Sequence, residues 1–145
     1  MAVFSDRELE YLESQLLARL ATADSSNAPH VVPVNFRLAE DGIAIDVGGG
    51  NLAGSKKYRD LKTNPKVAIV IDDLASVDPW TPRGIEVRGT AELHDTGGPE
   101  RFGEGWGKAW LRIVPERVTS WGIEGHAFSP AGRRRSRTVS RSGER

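Results

Sequence analysis

The sequence predicts a small, mainly β (α+β) domain whose strands close into a barrel or sandwich. Three observations predict it. Residues 30–38 and 84–94 alternate with the period of a pleated strand. Gly, Pro, Asn and Asp punctuate the chain at short intervals, and Asp41-Gly42 separates two strand patterns as a hairpin turn. Alternating β-α-β units, the mark of a parallel dinucleotide-binding sheet, are absent.

The elements follow in order. Ser5-Asp6-Arg7-Glu8 is a capping box, with a hydroxyl at the cap and a carboxylate three residues on. Leu9, Leu12, Leu16 and Leu17 recur at helical spacing, so a first helix is predicted to about Leu17. Residues 19–23 read as a strand and 24–29 as a turn. In the strand 30–38, Val32, Val34, Phe36 and Leu38 share one face, and Val31, Pro33, Asn35 and Arg37 the other. A proline cannot donate to a ladder, so Pro33 predicts a sheet edge or an interruption. A strand at 43–47 completes the hairpin. A second helix is predicted to about Asn64, stopping before Pro65. Val67, Ile69 and Ile71 give one face of a strand; 72–82 reads as a loop with two prolines and Trp80. After strand 84–94, residues 95–108 mix a short helix with loop. Residues 110–114 and 118–123 read as two strands split by Pro115. This makes six or seven strands and two or three helices.

The stretch Gly48-Gly49-Gly50-Asn51-Leu52-Ala53-Gly54-Ser55-Lys56-Lys57 lies between a strand and a helix. That order can seat a phosphate. Glycines let backbone N–H groups approach an anion, and a helix start adds unpaired donors and a favourable dipole. Ser55 adds a hydroxyl, and Lys56 and Lys57 add charge. A plain glycine turn before a solvated, lysine-bearing helix would have the same local sequence. The turn lacks the spacing of the dinucleotide fingerprint.

Composition narrows the chemistry. The 145 residues are 38% hydrophobic and suit one core. There is no cysteine, which excludes thiol nucleophiles, disulfides and cysteine-held metals. His30, His94 and His126 are scattered without metal-ligand spacing, so no metal site is expected. No Gly-x-Ser-x-Gly elbow exists, and Asp72, Asp73 and Asp78 read as turn formers. Net charge is zero but uneven: residues 133–145 carry +5, with arginines at 133, 134, 135, 137, 141 and 145, and the rest carries −5. This tail has no aromatic residue to stack on bases, so no nucleic-acid partner is expected. No apolar run reaches membrane length and no leader pattern opens the chain; the expectation is a cytoplasmic protein without a membrane partner. An anion seat with few reactive groups fits an enzyme whose cofactor carries the reaction.

Ordered sequence blocks sharpen this. They are Val3-Phe4-Ser5-Asp6, Leu17-Ala18-Arg19-Leu20-Ala21-Thr22, Pro33-Val34-Asn35-Phe36, residues 51–59, Asn64-Pro65-Lys66-Val67-Ala68, residues 72–80, residues 83–89 and residues 113–122. In that order, between Val3 and Val139, they resemble the split-barrel flavin and deazaflavin oxidoreductases that include pyridoxamine 5′-phosphate oxidase. Within that superfamily they are most similar to the branch using coenzyme F420. The resemblance implies a six-stranded split β-barrel, FMN-binding-protein-like, over residues 1–128, with residues 129–145 as a basic, partly ordered tail. It implies a homodimer with two cofactor sites at the interface. Ser55, Lys56 and Lys57 would hold the cofactor phosphate; Lys stands where the family pattern has one Arg, keeping the charge but losing the planar fork. Pro33, Val34 and Asn35 would line the ring, which gives Pro33 a reason to be there. Asp46, Val47 and Gly48 would lie beside the ring or its side chain. Trp121 and Arg137 match residues near the cofactor, Trp121 from the partner subunit; barrel core and basic tail are their plain readings.

The implied activity is hydride transfer from reduced F420 to a conjugated small molecule, such as an enone, quinone or tetrapyrrole-like compound. Trp80 and Arg83 would border the substrate pocket, and no catalytic residue is assigned. An FMN-dependent oxidase or reductase, and a non-enzymatic cofactor or haem carrier, are the alternatives.

Overall fold

The computed structural model describes residues 2–39 and 42–140. Asp41 of the predicted hairpin turn, and Arg141 and Arg145 of the basic tail, lie outside these residues.

Helix α1 (Asp6–Glu13) opens on the predicted capping box. Ser5 Oγ accepts from the Glu8 N–H at 3.1 Å, and the Ser5 N–H donates to Glu8 Oε1 at 2.9 Å. The helix ends four residues before its predicted end. Ser14 turns its hydroxyl onto the Tyr11 carbonyl, and Leu16 and Leu17 emerge into solvent, Leu16 being 88% exposed. Leu12 alone of the leucines at helical spacing is buried.

Eight strands follow among the described residues: β1 (Ala18–Ala23), β2 (Pro29–Val34), β3 (Arg37–Leu38), β4 (Ile45–Val47), β5 (Lys66–Ser76), β6 (Thr81–His94), β7 (Trp110–Trp121) and β8 (Arg135–Thr138). They form one antiparallel sheet in the order β2-β1-β5-β6-β7-β4-β3. β6 runs along one edge of β7. The other edge is shared: β4 pairs at Leu111–Ile113, and β8 pairs at Arg117–Ser120. Side chains from both ends of the sheet, Val34 on β2 and Ile45 and Val47 on β4, enter one core with Leu20, Ile69, Ile85, Val87 and Leu111. The sheet therefore wraps around its own apolar face, as the split-barrel expectation requires. Helix α2 (Lys56–Thr63) closes the core with Tyr58 and Leu61, and α3 (Gly98–Phe102) lies in the loop before β7. No helix among the described residues is long and apolar enough to cross a membrane.

Three further strand regions differ from the sequence reading. β5 continues to Ser76, and residues 72–76 pair with β6, so the predicted loop shrinks to a turn at 77–80. Apolar alternation stops at Ile71 because this arm leaves the core, yet its backbone keeps pairing. β7 is one strand, not two: Pro115 sits opposite Gly89, and Glu116 is the extra residue of a bulge. The bulge brings Val114 O so close that a Cβ at position 89 would lie 2.0 Å from it, which explains the glycine. The predicted strand at 30–38 is broken at Asn35-Phe36 into β2 and β3. β2 ends the sheet, so Pro33 does occupy an edge.

The tail returns to the first helix. Arg137, on β8, donates to Glu8 Oε2 at 3.0 Å and Oε1 at 2.5 Å, and to the Val3 carbonyl at 2.6 Å. Glu8 is 2% exposed. Burial alone would raise its carboxyl, but the Arg137 guanidinium and the Ser5 N–H outweigh it and hold the group below its ordinary 4.5. A depressed carboxylate contributes stability above its unfolded pKa and loses it as pH falls through the folded value. Arg137→Ala is therefore expected to cost about 2 kcal/mol at neutral pH. That is below the roughly 3–5 kcal/mol of a fully enclosed pair, because Arg137 is 39% exposed. Urea unfolding of both proteins should show the gap narrowing as pH falls below the ordinary carboxylate value.

Candidate functional site

Helix α2 starts immediately after the glycine-rich stretch. Ser55 is its N-cap: Oγ accepts from the Tyr58 N–H at 3.3 Å and donates to the Leu52 carbonyl at 2.6 Å. The hydroxyl thus shapes the turn. Lys56 reaches forward one turn along the helix to Asp60, at 3.0 and 3.3 Å. Asp60 is buried and also accepts from Thr22 Oγ1 at 3.0 Å; the Lys56 ammonium holds its carboxyl below the usual range. Arg59 donates to the Gly54 carbonyl at 2.9 Å. Lys57 differs. It is half-buried, burial lowers its ammonium pKa, and it has no hydrogen-bond or ion-pair partner among the described residues. The first-turn N–H groups of Lys56 and Lys57 also have no acceptor there. Two N–H donors and one desolvated cation are what this helix start offers an anion.

The glycine turn itself is packed. Asn35, just past β2, and Gly48, just past β4, exchange two hydrogen bonds at 3.4 Å, side chain to backbone in both directions. The structure thus joins two predicted ring-lining residues. The open side of Gly48 is filled by Phe102, whose ring would lie 2.8 Å from a Cβ there. The Gly49 carbonyl accepts from the Gly107 N–H at 2.8 Å. Val34 is buried, and Pro33 is exposed on the sheet edge. Asp46 and Val47 are wholly buried, so neither presents surface to a ligand within this chain.

Asp46 is the centre of a cluster that sequence reasoning missed. Arg112, its partner across β4 and β7, binds it with Nε to Oδ1 at 2.8 Å and Nη2 to Oδ2 at 3.1 Å. Arg101, on α3, adds Nη1 to Oδ2 at 2.9 Å. Both guanidiniums lie over the Trp110 ring, at 4.5 Å for Arg101 and 5.4 Å for Arg112, and His94 stacks on it at 4.1 Å. Arg37 donates to the Arg101 carbonyl. The available signal was Asp46 itself: a carboxylate between Ile45 and Val47 in a buried strand demands a cation. Its partners lie 55 and 66 residues away, beyond any local pattern.

The remaining candidates sit elsewhere. Trp121 ends β7 opposite Gly84, with Arg134 4.9 Å over its ring. Among the described residues, neither Trp121 nor Arg137 makes a hydrogen bond or ring contact with Asn35, Gly48 or Lys57. Arg83 is held by Asp73 through two bonds, at 2.8 and 3.0 Å, beside Tyr11, whose hydroxyl donates to the same carboxylate at 2.8 Å. Burial and Asp73 push the Tyr11 phenol well above its usual range. Arg83 borders a cavity of about 480 Å³ with Tyr11 and Ile123. Trp80 lies in the 77–80 turn, 57% exposed.

Comparison with known proteins gives a consistent picture. A family profile described as pyridoxamine 5′-phosphate oxidase matches residues 4–122. The chain is 38% identical over 122 residues to a 5a,11a-dehydrotetracycline/5a,11a-dehydrooxytetracycline reductase of Streptomyces rimosus, covering 84% of this chain and 85% of that one. Among solved structures, the fold is similar to a heme binding protein from Mycobacterium smegmatis, with a TM-score of 0.66 at 19% identity over 94% of this chain and 60% of the other. An FAD binding protein from the same organism gives a TM-score of 0.60 at 22% identity, over 83% and 96%. At such identities the structural likenesses establish the fold.

Removing the carboxylate at the centre of the cluster takes a shared partner from two guanidiniums. Asp46→Ala is expected to lower the unfolding free energy by about 3 kcal/mol, measured by urea denaturation, and to weaken the near-ultraviolet circular dichroism of Trp110.

Proposed function

The chain belongs to the pyridoxamine 5′-phosphate oxidase family, and we propose that it is an oxidoreductase delivering a hydride from reduced coenzyme F420 to a conjugated small-molecule acceptor. The observation that carries this reading is the 38% identity, over most of both chains, to a reductase named for conjugated dehydrotetracyclines. The donor set at α2 fits a phosphorylated cofactor: two unpartnered N–H groups and the unpaired, desolvated ammonium of Lys57. Ser55 fixes the turn that presents them, and Lys56, spent on Asp60, contributes its N–H rather than its charge. Bound there, the reduced deazaflavin supplies a hydride.

The chain's own work is binding and orientation. Asn35 ties the end of β2 to Gly48, so the two edges expected to meet the ring are fixed relative to each other. Tyr58 is buried, and its hydroxyl donates to Asp95 at 2.8 Å; burial and that carboxylate push the phenol up to about 12. It pins the phosphate-binding helix to the 95–97 segment as a neutral donor. The reading includes a homodimer, with Trp121 meeting the cofactor of the partner subunit. Support comes from β2, which ends the sheet and exposes Val31 to 64% beside Pro33, an apolar edge a second copy would cover. FMN is the second reading, supported by membership of that family and by the similar fold of an FAD binding protein.

Titration of F420 and of FMN into the purified protein, followed by turnover of reduced F420 with 5a,11a-dehydrotetracycline, tests the proposal. F420 is expected to bind more tightly than FMN and its reduced form to be consumed. Lys57→Ala is expected to weaken F420 binding by roughly tenfold to a hundredfold, the worth of one charge-assisted hydrogen bond. Purification as a yellow protein with tight FMN supports the second reading. Binding without turnover supports a carrier, and an unchanged affinity in Lys57→Ala moves the phosphate away from α2.

A further inference from the structure

Arg37, Leu38, Thr96, Gly97, Arg101 and Trp110 enclose a cavity of about 490 Å³, with Glu100 at its wall. This volume lies in the range of small-molecule sites, about 300–1,000 Å³. Its position connects it with the cofactor seat from two sides. Arg101 precedes Phe102, whose ring packs on Gly48 and so beside the Asn35–Gly48 bridge. Thr96 follows Asp95, the residue that receives the hydroxyl of Tyr58 on α2.

The charged residues of the lining are Arg37, Arg101 and Glu100. Arg101 is committed to Asp46. Asp46 is already shared by Arg101 and Arg112. Arg37 is exposed, donates to the Arg101 carbonyl, and has no carboxylate partner among the described residues. The wall also carries the indole of Trp110, under the Arg101 guanidinium, and the apolar side chain of Leu38. An arginine without a carboxylate partner beside an aromatic and an aliphatic wall suits a partly apolar molecule bearing an oxyanion.

We infer that this cavity takes the acceptor, that the acceptor is a planar, conjugated acid of the enolised β-dicarbonyl or carboxylate type, and that Arg37 binds its oxyanion. The inference rests on the reductase reading for what happens next. The hydride adds to the β-carbon of the acceptor's C=C–C=O unit, and the π pair moves to oxygen. A proton from water then reaches the α-carbon, so the acceptor gains two electrons and two hydrogens while the deazaflavin donor is oxidised. Arg37 contributes by holding the acid in register through its oxyanion.

Calorimetric titration of 5a,11a-dehydrooxytetracycline into the protein without cofactor reads the site independently of turnover. The wild type should bind, Arg37→Ala should bind about tenfold to a hundredfold more weakly, Arg37→Lys should fall between, and Lys57→Ala should match the wild type. In turnover with reduced F420, the kcat/KM of this acid should fall in parallel in Arg37→Ala, whereas that of neutral 2-cyclohexen-1-one should not change. Equal binding of the acid by wild type and Arg37→Ala, or no binding by the wild type, overturns the inference, and so does an equal loss for the acidic and neutral acceptors. Arg37-dependent binding without any turnover overturns the reductase reading and leaves the acid site standing. Turnover that ignores Arg37 does the reverse.

Discussion

The arrangement around the site depends on one buried carboxylate. Asp46 has no exposed surface, and an unpaired charge there would cost far more than the few kcal/mol by which a small domain is stable. Arg112 and Arg101 neutralise it, and each pairing fixes geometry as well as charge. The Arg112 bonds lock β4 to β7 in register. The Arg101 bond draws α3 onto the sheet. A five-residue helix has no stability of its own. It is held by Arg101 on Asp46, by Phe102 against Gly48, and by the Gly98 N–H donating to the Lys108 carbonyl at 2.8 Å. The cavity beside Trp110 exists because α3 is held at that distance from β3. One ion triad therefore sets sheet register, helix position and pocket shape together.

The anion seat at α2 follows a different logic, the separation of structural from available charge. Lys56 and Lys57 are adjacent and chemically identical, yet helical geometry sends them to different faces. Position 56 lies four residues from Asp60, where an ion pair forms and also satisfies Thr22 on β1. Position 57 has no such acceptor and sits partly desolvated. A cation that is neither paired nor fully hydrated gains more from an arriving phosphate than one already paired. The chain thus uses Lys56 to dock the helix and leaves Lys57 unpaired.

How legible this was depended on the distance over which each constraint acts. The capping box at Ser5 and Glu8, the alternation along β6 and the edge position of Pro33 are local rules, and the structure follows them. β5 beyond Ile71 was not legible, because its outer arm is held by backbone pairing with β6 and buries too little to show a pattern. Pro115 read as a break because a proline normally ends a ladder; the bulge at Glu116 and the missing Cβ at Gly89 absorb it instead. The proposed phosphate seat was visible as a motif, but not the division between its lysines, which needs the position of Asp60 in three dimensions. The Asp46 cluster gathers residues from β3, β4, α3 and β7, so only its buried acid left a mark in the sequence.

The same accounting changes the meaning of the basic tail. Read as a sequence, its arginines form a basic, partly ordered tail. In the structure, Arg137 is spent on buried Glu8, Arg134 lies over Trp121, and Arg135 donates to the Ala131 carbonyl at 2.9 Å. β8 is thereby anchored at the free edge of β7, and the Val139 N–H bonds Glu116 O at the bulge that Pro115 creates. The tail therefore repairs two local costs of the barrel, a carboxylate buried at the start of the first helix and an unpaired stretch of β7. Lys57 and Arg37, by contrast, have no carboxylate partner among the described residues, and each lies beside a pair that keeps a neighbouring cation occupied.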